Sequence, residues 1–471
     1  MNFTYIWAPV VPQIWMQVFV IATLLYLLWK YRSGLLPICI ILLCFPRVFI
    51  FYGKGVENLY KILLFAYCCY IFYLYKGWEM MTKKEIPYIV TYLVLTIVFF
   101  YTTIFQSNDS WTIIFSQYSR YLEIFLLWFV IKAAIYVNDE KETLLRLFYD
   151  IILVQIILSI IKFLLFRTQI EGLVGTFTIP GGAIGTTLPI VGFYILYLYK
   201  KGVFSTFDWL IIVGLLFVGW TTGKRAVWLI VPVLIFLFLT YVKGRNPSKY
   251  WILAILAFPL IIYLGARLTP TLNPENKVWG RFDIDYMYDY ANQYQFGEEG
   301  VEGQMETLQS QQQVFYEGGQ YGVGQKHIEA YGRGNATIEL LKLIFGPRKL
   351  TDSDIWGTGL SSFYSTTYDE YDKLPITIHL SYKGAGTGFF QQYATIGVIG
   401  ALLMTLFLSI PYFRIKHRRF RWVMLAMVWY DYFMYAGTMC RDTYLVVMIY
   451  FCILYINYEY EHAQQRLITT E

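Results

Sequence analysis

Charge is scarce in this sequence. Asp, Glu, Lys and Arg make up 15% of its 471 residues, against roughly 25% in soluble domains, which excludes an ordinary soluble globule. Metal-binding patterns are also missing. The chain has 4 histidines, none in an HExxH or paired spacing, so no metal is expected. The acidic group Asp283, Asp285 and Asp289 lacks the glycine and terminal glutamate of a calcium loop and reads as a solvated face. There is no GxSxG elbow and no GxxxxGK[ST] phosphate loop. The six cysteines (Cys39, Cys44, Cys68, Cys69, Cys440 and Cys452) lie in or beside apolar runs. That placement offers no disulfide framework outside the membrane and suits small buried hydrophobes. No basic start with a small-residue cleavage site opens the chain, so the first apolar run is expected to be retained.

What the chain does have is apolar length. Hydrophobic residues reach 57% and mean hydropathy is +0.47. Apolar runs recur near 12–29, 35–52, 59–75, 86–105, 112–137, 145–166, 183–199, 207–222, 226–242, 250–266, 388–410, 420–437 and 442–458. Backbone polar groups in lipid must be satisfied within the segment, so these runs predict an all-α polytopic membrane protein of about 12–13 transmembrane helices. The pattern stops between 267 and 386, where Asp, Glu, Gln, Gly and Tyr take over. The expected organisation is ten spans over 1–266, a large loop over 267–386 between spans 10 and 11, and three spans with a tail over 387–471.

Basic residues give an orientation. Alternate connectors carry Lys30 and Arg32; Lys76, Lys83 and Lys84; Lys141 and Arg146; Lys200 and Lys201; Lys243, Arg245 and Lys249; and Arg414, Lys416, Arg418, Arg419 and Arg421. These are expected to be cytoplasmic, which puts the large loop outside and the C-terminus inside. No internal repeat of the kind found in two-halved transporters is visible.

Several charges interrupt the apolar runs: Arg47, Arg120, Glu123, Asp150, Lys162 and Asp431. Arg120 and Glu123 are spaced to share one helical face, so pairing between them is one reading. Another is that Arg47, Arg120, Lys224, Arg225 and Arg441 converge near the outer face, where Arg forks suit phosphate oxygens. The connector from Gly172 to Ala183, rich in glycine and containing Pro180, reads as an external, turn-rich lip. Within the large loop acidic residues outnumber basic ones, so no nucleic-acid partner is expected. Its many Tyr and Trp side chains suit sugar stacking or a membrane interface. Helices are predicted over 302–316 and 335–345, the second capped by Asn335 and stopped by Gly346-Pro347.

Three segments resemble the bacterial O-antigen polymerase/O-antigen ligase superfamily, which are membrane glycosyltransferases. The run from Thr221 through Lys224 and Arg225 to Leu229 is similar to that family's Ser-Arg helix start. The run from Arg333 to Pro347, followed by Trp356, Gly357, Gly359 and Phe363, resembles its loop arginine, amphipathic helix and Gly-x-Gly turn. The run from Gly386 to Gly400 resembles the start of the helix after the loop. The likeness spans roughly residues 150 to 410. Where ligases carry a histidine, this chain has Ala385 and Gly386, which favours the polymerase branch.

The resemblance implies a GT-C-like fold in the bacterial cytoplasmic (inner) membrane and no cofactor. It also implies a polyprenyl-pyrophosphate-linked glycan as donor and acceptor, with membrane lipid and a chain-length regulator as further partners. Arg225, Arg333 and His379 would be catalytic, the arginines holding pyrophosphate and His379 or a loop carboxylate serving as base. Lys224, Arg120, Arg281 and Arg47 would bind substrate. The expected activity is polymerisation of lipid-linked repeat units. The alternatives are a ligase passing finished glycan to a lipid core or protein, and a lipid-linked oligosaccharide flippase.

Overall fold

A computed structural model describes residues 10–51, 54–106, 110–166, 174–176, 181–243, 247–269, 273, 278–289, 350, 352–359, 388–416, 418–434 and 443–469. Among them there is no strand. The helices are α1 (Val10–Lys30), α2 (Leu35–Cys44), α3 (Pro46–Phe51), α4 (Lys54–Leu74), α5 (Ile86–Phe100), α6 (Trp111–Tyr136), α7 (Lys141–Phe166), α8 (Gly181–Tyr199), α9 (Thr206–Trp220), α10 (Arg225–Lys243) and α11 (Pro247–Leu268). After α11 come α12 (Ile284–Asp289), α13 (Asp352–Trp356), α14 (Gly388–Phe413), α15 (Arg418–Met434) and α16 (Thr443–Thr469). Four stretches, Gly55–Leu74, Lys83–Gln106, Lys141–Phe166 and Thr395–Phe413, are long and apolar enough to cross a membrane, and shorter apolar helices accompany them. Leu25, Tyr73, Ile97, Leu164, Leu210 and Leu256 on separate helices are all exposed, an apolar girdle that water would not tolerate but lipid would. The chain is an α-helical membrane protein.

Two expected single spans are broken instead. The run 35–52 divides into α2 and α3 at Phe45, whose φ of −120° and ψ of 43° leave the helix. Pro46 explains this: it has no N–H to donate and disfavours helical geometry in the residue before it. α2 therefore rises only about 15 Å. The run 388–410 breaks inside α14, where Ile396 and Gly397 are non-helical.

Aromatic contacts tie the core together. Tyr92 stacks on Phe125 at 4.1 Å and Tyr88 on Phe407 at 5.0 Å, joining α5, α6 and α14. The Tyr88 and Tyr450 hydroxyls, 3.0 Å apart, add α16. Close helix packing elsewhere uses small residues. A Cβ on Gly192 would stand 2.6 Å from Leu215, and one on Gly214 would stand 2.7 Å from Ile156.

The ends of the bundle differ. At one end ion pairs gather: Lys30–Asp150 at 2.6 Å, Lys132–Glu85 at 2.7 Å, Lys200–Asp208 at 3.1 Å and Lys416–Glu461 at 2.6 Å. Tyr75 donates to Glu140 at 2.9 Å, and Tyr455 donates to Glu142 at 3.2 Å. Burial holds the Glu140 carboxyl above the usual carboxylate range, opposed by that Tyr75 bond. Asp150, one of the charges inside the apolar runs, is thus a structural partner of Lys30 and also accepts from the Tyr31 hydroxyl. The residues flanking the large loop meet at the opposite end.

Candidate functional site

At the loop end of the bundle, α9 stops at Trp220 and a tight turn leads to Arg225, the first residue of α10. Gly223 in that turn has a φ of +66°, the left-handed region that glycine enters without a Cβ clash. The Thr221 and Thr222 hydroxyls donate back to Val218 and Gly219 carbonyls at 2.7 and 2.6 Å. Opposite them lies Gly185 of α8, where a Cβ would come within 2.4 Å of Thr222. The turn that presents Lys224 and Arg225 is therefore seated against α8.

The start of the large loop folds over this turn. Phe282 is buried with Ala266 among Trp228, Leu229 and Ile262. The Trp228 indole N–H donates to Thr269 at 3.2 Å, and the Trp220 indole N–H donates to the Leu268 carbonyl at 2.7 Å. Gly265 lets Trp228 approach, since a Cβ there would stand 2.7 Å from the indole. This seat carries α12 to Arg225, whose guanidinium carbon lies 5.7 Å from the centre of the Tyr286 ring. Arg281 lies in the short turn Gly280–Phe282, and its side chain is outside the described set. Asp283 accepts from the Asp285 backbone N–H at 3.0 Å, a local turn contact in keeping with a solvated acidic face.

The far part of the loop returns by a second contact. α13 lies against α14, and its carboxylate Asp354, fully buried, accepts from the Tyr393 hydroxyl at 3.3 Å. The Trp356 carbonyl accepts from Thr102 at 2.5 Å, while its ring meets Tyr101 at 4.8 Å. Tyr101 and Thr102 belong to a wider π-type turn over Tyr101–Gln106 that extends α5. Gly357 and Gly397 then pass backbone against backbone. A Cβ on Gly357 would be 2.5 Å from the Gly397 nitrogen, and one on Gly397 would be 2.0 Å from the Ile355 carbonyl oxygen. Tyr121 of α6 donates to Gln392 at 2.9 Å beside this crossing.

The described part of the connector before α8, residues 174–176, is packed into the bundle. Val174 and Thr176 are fully buried. Lys162, 1% exposed, donates to the Gly175 carbonyl. Ser159 accepts from the Gly175 N–H at 2.8 Å, Gln155 accepts from the Thr176 N–H at 2.7 Å, and Thr176 donates to the Cys44 carbonyl. Irregular backbone at this depth is tolerated because side chains of α7 satisfy it. Gly175, with a φ of +39°, suits this place, since a Cβ would stand 1.8 Å from the Gln155 side-chain oxygen Oε1 that accepts from Thr176. Lys162 was visible in the sequence as an intramembrane charge, but the residues it serves were not.

Of the expected cations, the described side chains are those of Lys224, Arg225 and Arg120. Lys224 and Arg225, both half-buried, sit together at the start of α10, which packs against α8, α11 and α15. Arg120 lies on α6, which packs mainly against α4 and α16. There it is within electrostatic reach of Lys61, which pairs with Glu57 at 2.5 Å, and buried Glu123 acts on the same lysine. This charge-balanced cluster borders a groove of about 300 Å³ lined by Asn58, Lys61, Ile62, Trp111, Thr112 and Phe115. Arg47 lies on α3 with its side chain outside the described set. Arg333, His379 and Arg441, and the helices expected over 302–316 and 335–345, fall outside the described residues. Among the described residues no three His, Cys, Asp or Glu side chains are grouped to hold a metal ion.

The chemistry available at Arg225 is anion binding. Two cations at the start of a helix add to the positive end of its dipole. Comparison of the chain with protein-family models, with curated proteins and with solved structures finds no match, so membership of a family does not follow from likeness to known proteins.

Proposed function

We propose that the protein is a multi-pass glycosyltransferase of the bacterial cytoplasmic membrane, with about 12–13 spans. Its large loop lies outside and its C-terminus inside. Its substrates are polyprenyl-pyrophosphate-linked oligosaccharides, which it joins into a surface polysaccharide. The observation that carries this reading is the meeting of Arg225 with Tyr286 of the large loop at 5.7 Å. A cationic helix start roofed by an aromatic loop segment matches the chemistry of a lipid pyrophosphate bearing a sugar.

In this reading the donor sugar leaves its pyrophosphate while an acceptor hydroxyl attacks the anomeric carbon. Lys224 and Arg225, joined by Arg333 from the loop, stabilise the charge that develops on the departing phosphate. The arginines remain protonated and cannot take the hydroxyl proton, so that task falls to His379 or a loop carboxylate. The transfer calls for neither nucleotide nor metal.

The test is Arg225→Ala and Arg333→Ala in cells. Long-chain polymer should be lost while the protein stays in the membrane at its usual level. Normal chain-length ladders in both variants would overturn the reading. Deletion separates the branches: loss of polymer fits a polymerase, whereas finished polymer left on the carrier identifies a ligase. Chain growth by purified protein in detergent, with no membrane to cross, excludes a flippase.

A further inference from the structure

We propose that Tyr286 is a positioning residue for Arg225, holding the guanidinium by its face so that its edge meets the pyrophosphate oxygens; this rests on the anion-binding reading of Arg225 above. An arginine at the first position of α10 stands at the positive end of the helix dipole, an unfavourable place for a cation. It is also half-buried, which removes part of its hydration. The negative face of an aromatic ring offsets both effects. Tyr286 supplies that face, with the guanidinium carbon over its ring at 5.7 Å. Arginine recognises phosphate through the fork of N–H donors at the rim of its guanidinium plane.

The ring is built into the fold. Phe282 plugs the pocket formed by Trp228, Leu229, Ile262 and Ala266. The Phe282 and Asp283 N–H groups close the turn by donating to the Trp279 and Gly280 carbonyls at 3.0 and 3.2 Å. The Met287 N–H donates to the Asp283 carbonyl at 2.8 Å, continuing that turn into α12. Trp228 lies one helical turn along α10 from Arg225, so the helix that carries the cation also carries the seat for the ring. Loop docking and arginine posture are thus coupled. The first part of the loop, which resembles no family motif, acquires a role in the site.

The experiment uses the full chain purified in detergent and inorganic pyrophosphate as the probe, with Arg225→Ala, Tyr286→Phe and Tyr286→Leu. Binding should be lost in Arg225→Ala. It should weaken about three- to tenfold in Tyr286→Leu, the range expected for a partly exposed cation–π contact. Tyr286→Phe, which keeps the ring, should bind within about twofold of the unaltered protein. Unchanged binding in Tyr286→Leu overturns the role of the ring. Equal loss in Phe and Leu variants also overturns it, because the hydroxyl and not the face would then matter. If Arg225→Ala binds as well as the unaltered protein, or if the unaltered protein binds no pyrophosphate, the site reading fails and the inference with it. Tyr286 is half-buried in a surface segment, and matching thermal transitions for the two Tyr286 variants separate a local effect from misfolding.

Discussion

Replacing Gly397 with Ala tests whether residues 352–359 are held by direct backbone contact with the break in α14. Gly397 has φ 71° and ψ −178°, a region whose occupation by a side chain costs roughly 1–3 kcal/mol. The new Cβ would also stand 2.0 Å from the Ile355 carbonyl oxygen and 2.3 Å from its carbonyl carbon. Both neighbours are backbone, so no rotamer change relieves the overlap, and α13 must retreat by about 1 Å or more. That retreat strips the Trp356 carbonyl from Thr102 and Asp354 from Tyr393. Two hydrogen bonds at roughly 1 kcal/mol each, added to the strain, bring the cost to about 3–5 kcal/mol.

The loss is confined to the docking of α13, so undocking should precede unfolding of the bundle. A cysteine placed at Thr395, which is 5% exposed, in a background without the native cysteines reports this directly. Maleimide modification in detergent should accelerate more than about tenfold in Gly397→Ala. Gly55→Ala, where a Cβ meets nothing within 4 Å, should leave the rate unchanged. Equal rates in the Gly397 variant and its parent would refute the backbone crossing as the lock.

Two further outcomes follow from the polar contacts. Lys162→Met should lower stability by about 1–3 kcal/mol, read as a drop in Tm, because the Gly175 carbonyl loses its buried donor; an unchanged Tm would show that the connector is held by Ser159 and Gln155 alone. Lys30→Met and Asp150→Asn, made singly and together, should show a coupling of about 0.5–3 kcal/mol, since removing either partner leaves a partly buried charge. Strict additivity would mean that the pair contributes nothing.

Much of the helical framework was legible in the sequence because it follows from local composition. An apolar run must satisfy its own backbone in lipid, so it forms a helix whatever surrounds it. The breaks were less visible. Pro46 was a readable signal for ending α2, and an expectation of one span over 35–52 passed it over. Gly397 is harder to read, since a glycine inside an apolar run is commonplace in membrane helices. Only the approach of Gly357 from the loop gives it a purpose. In the site, Arg225 was legible as a cation at a helix start, whereas Tyr286 was one of 43 tyrosines and nothing local distinguished it.

What the sequence determined by itself is the membrane class, the placement of most helices and the alternation of basic connectors, because hydropathy and charge act residue by residue. The tertiary structure decided which charges are partners. Arg120 went to the α4 cluster with Lys61, Asp150 to Lys30, and Lys162 to the Gly175 carbonyl in the connector before α8. It also brought Tyr286 to Arg225 and Gly357 to Gly397. These pairings join residues far apart in the chain and depend on how the helices pack, so no local pattern encodes them.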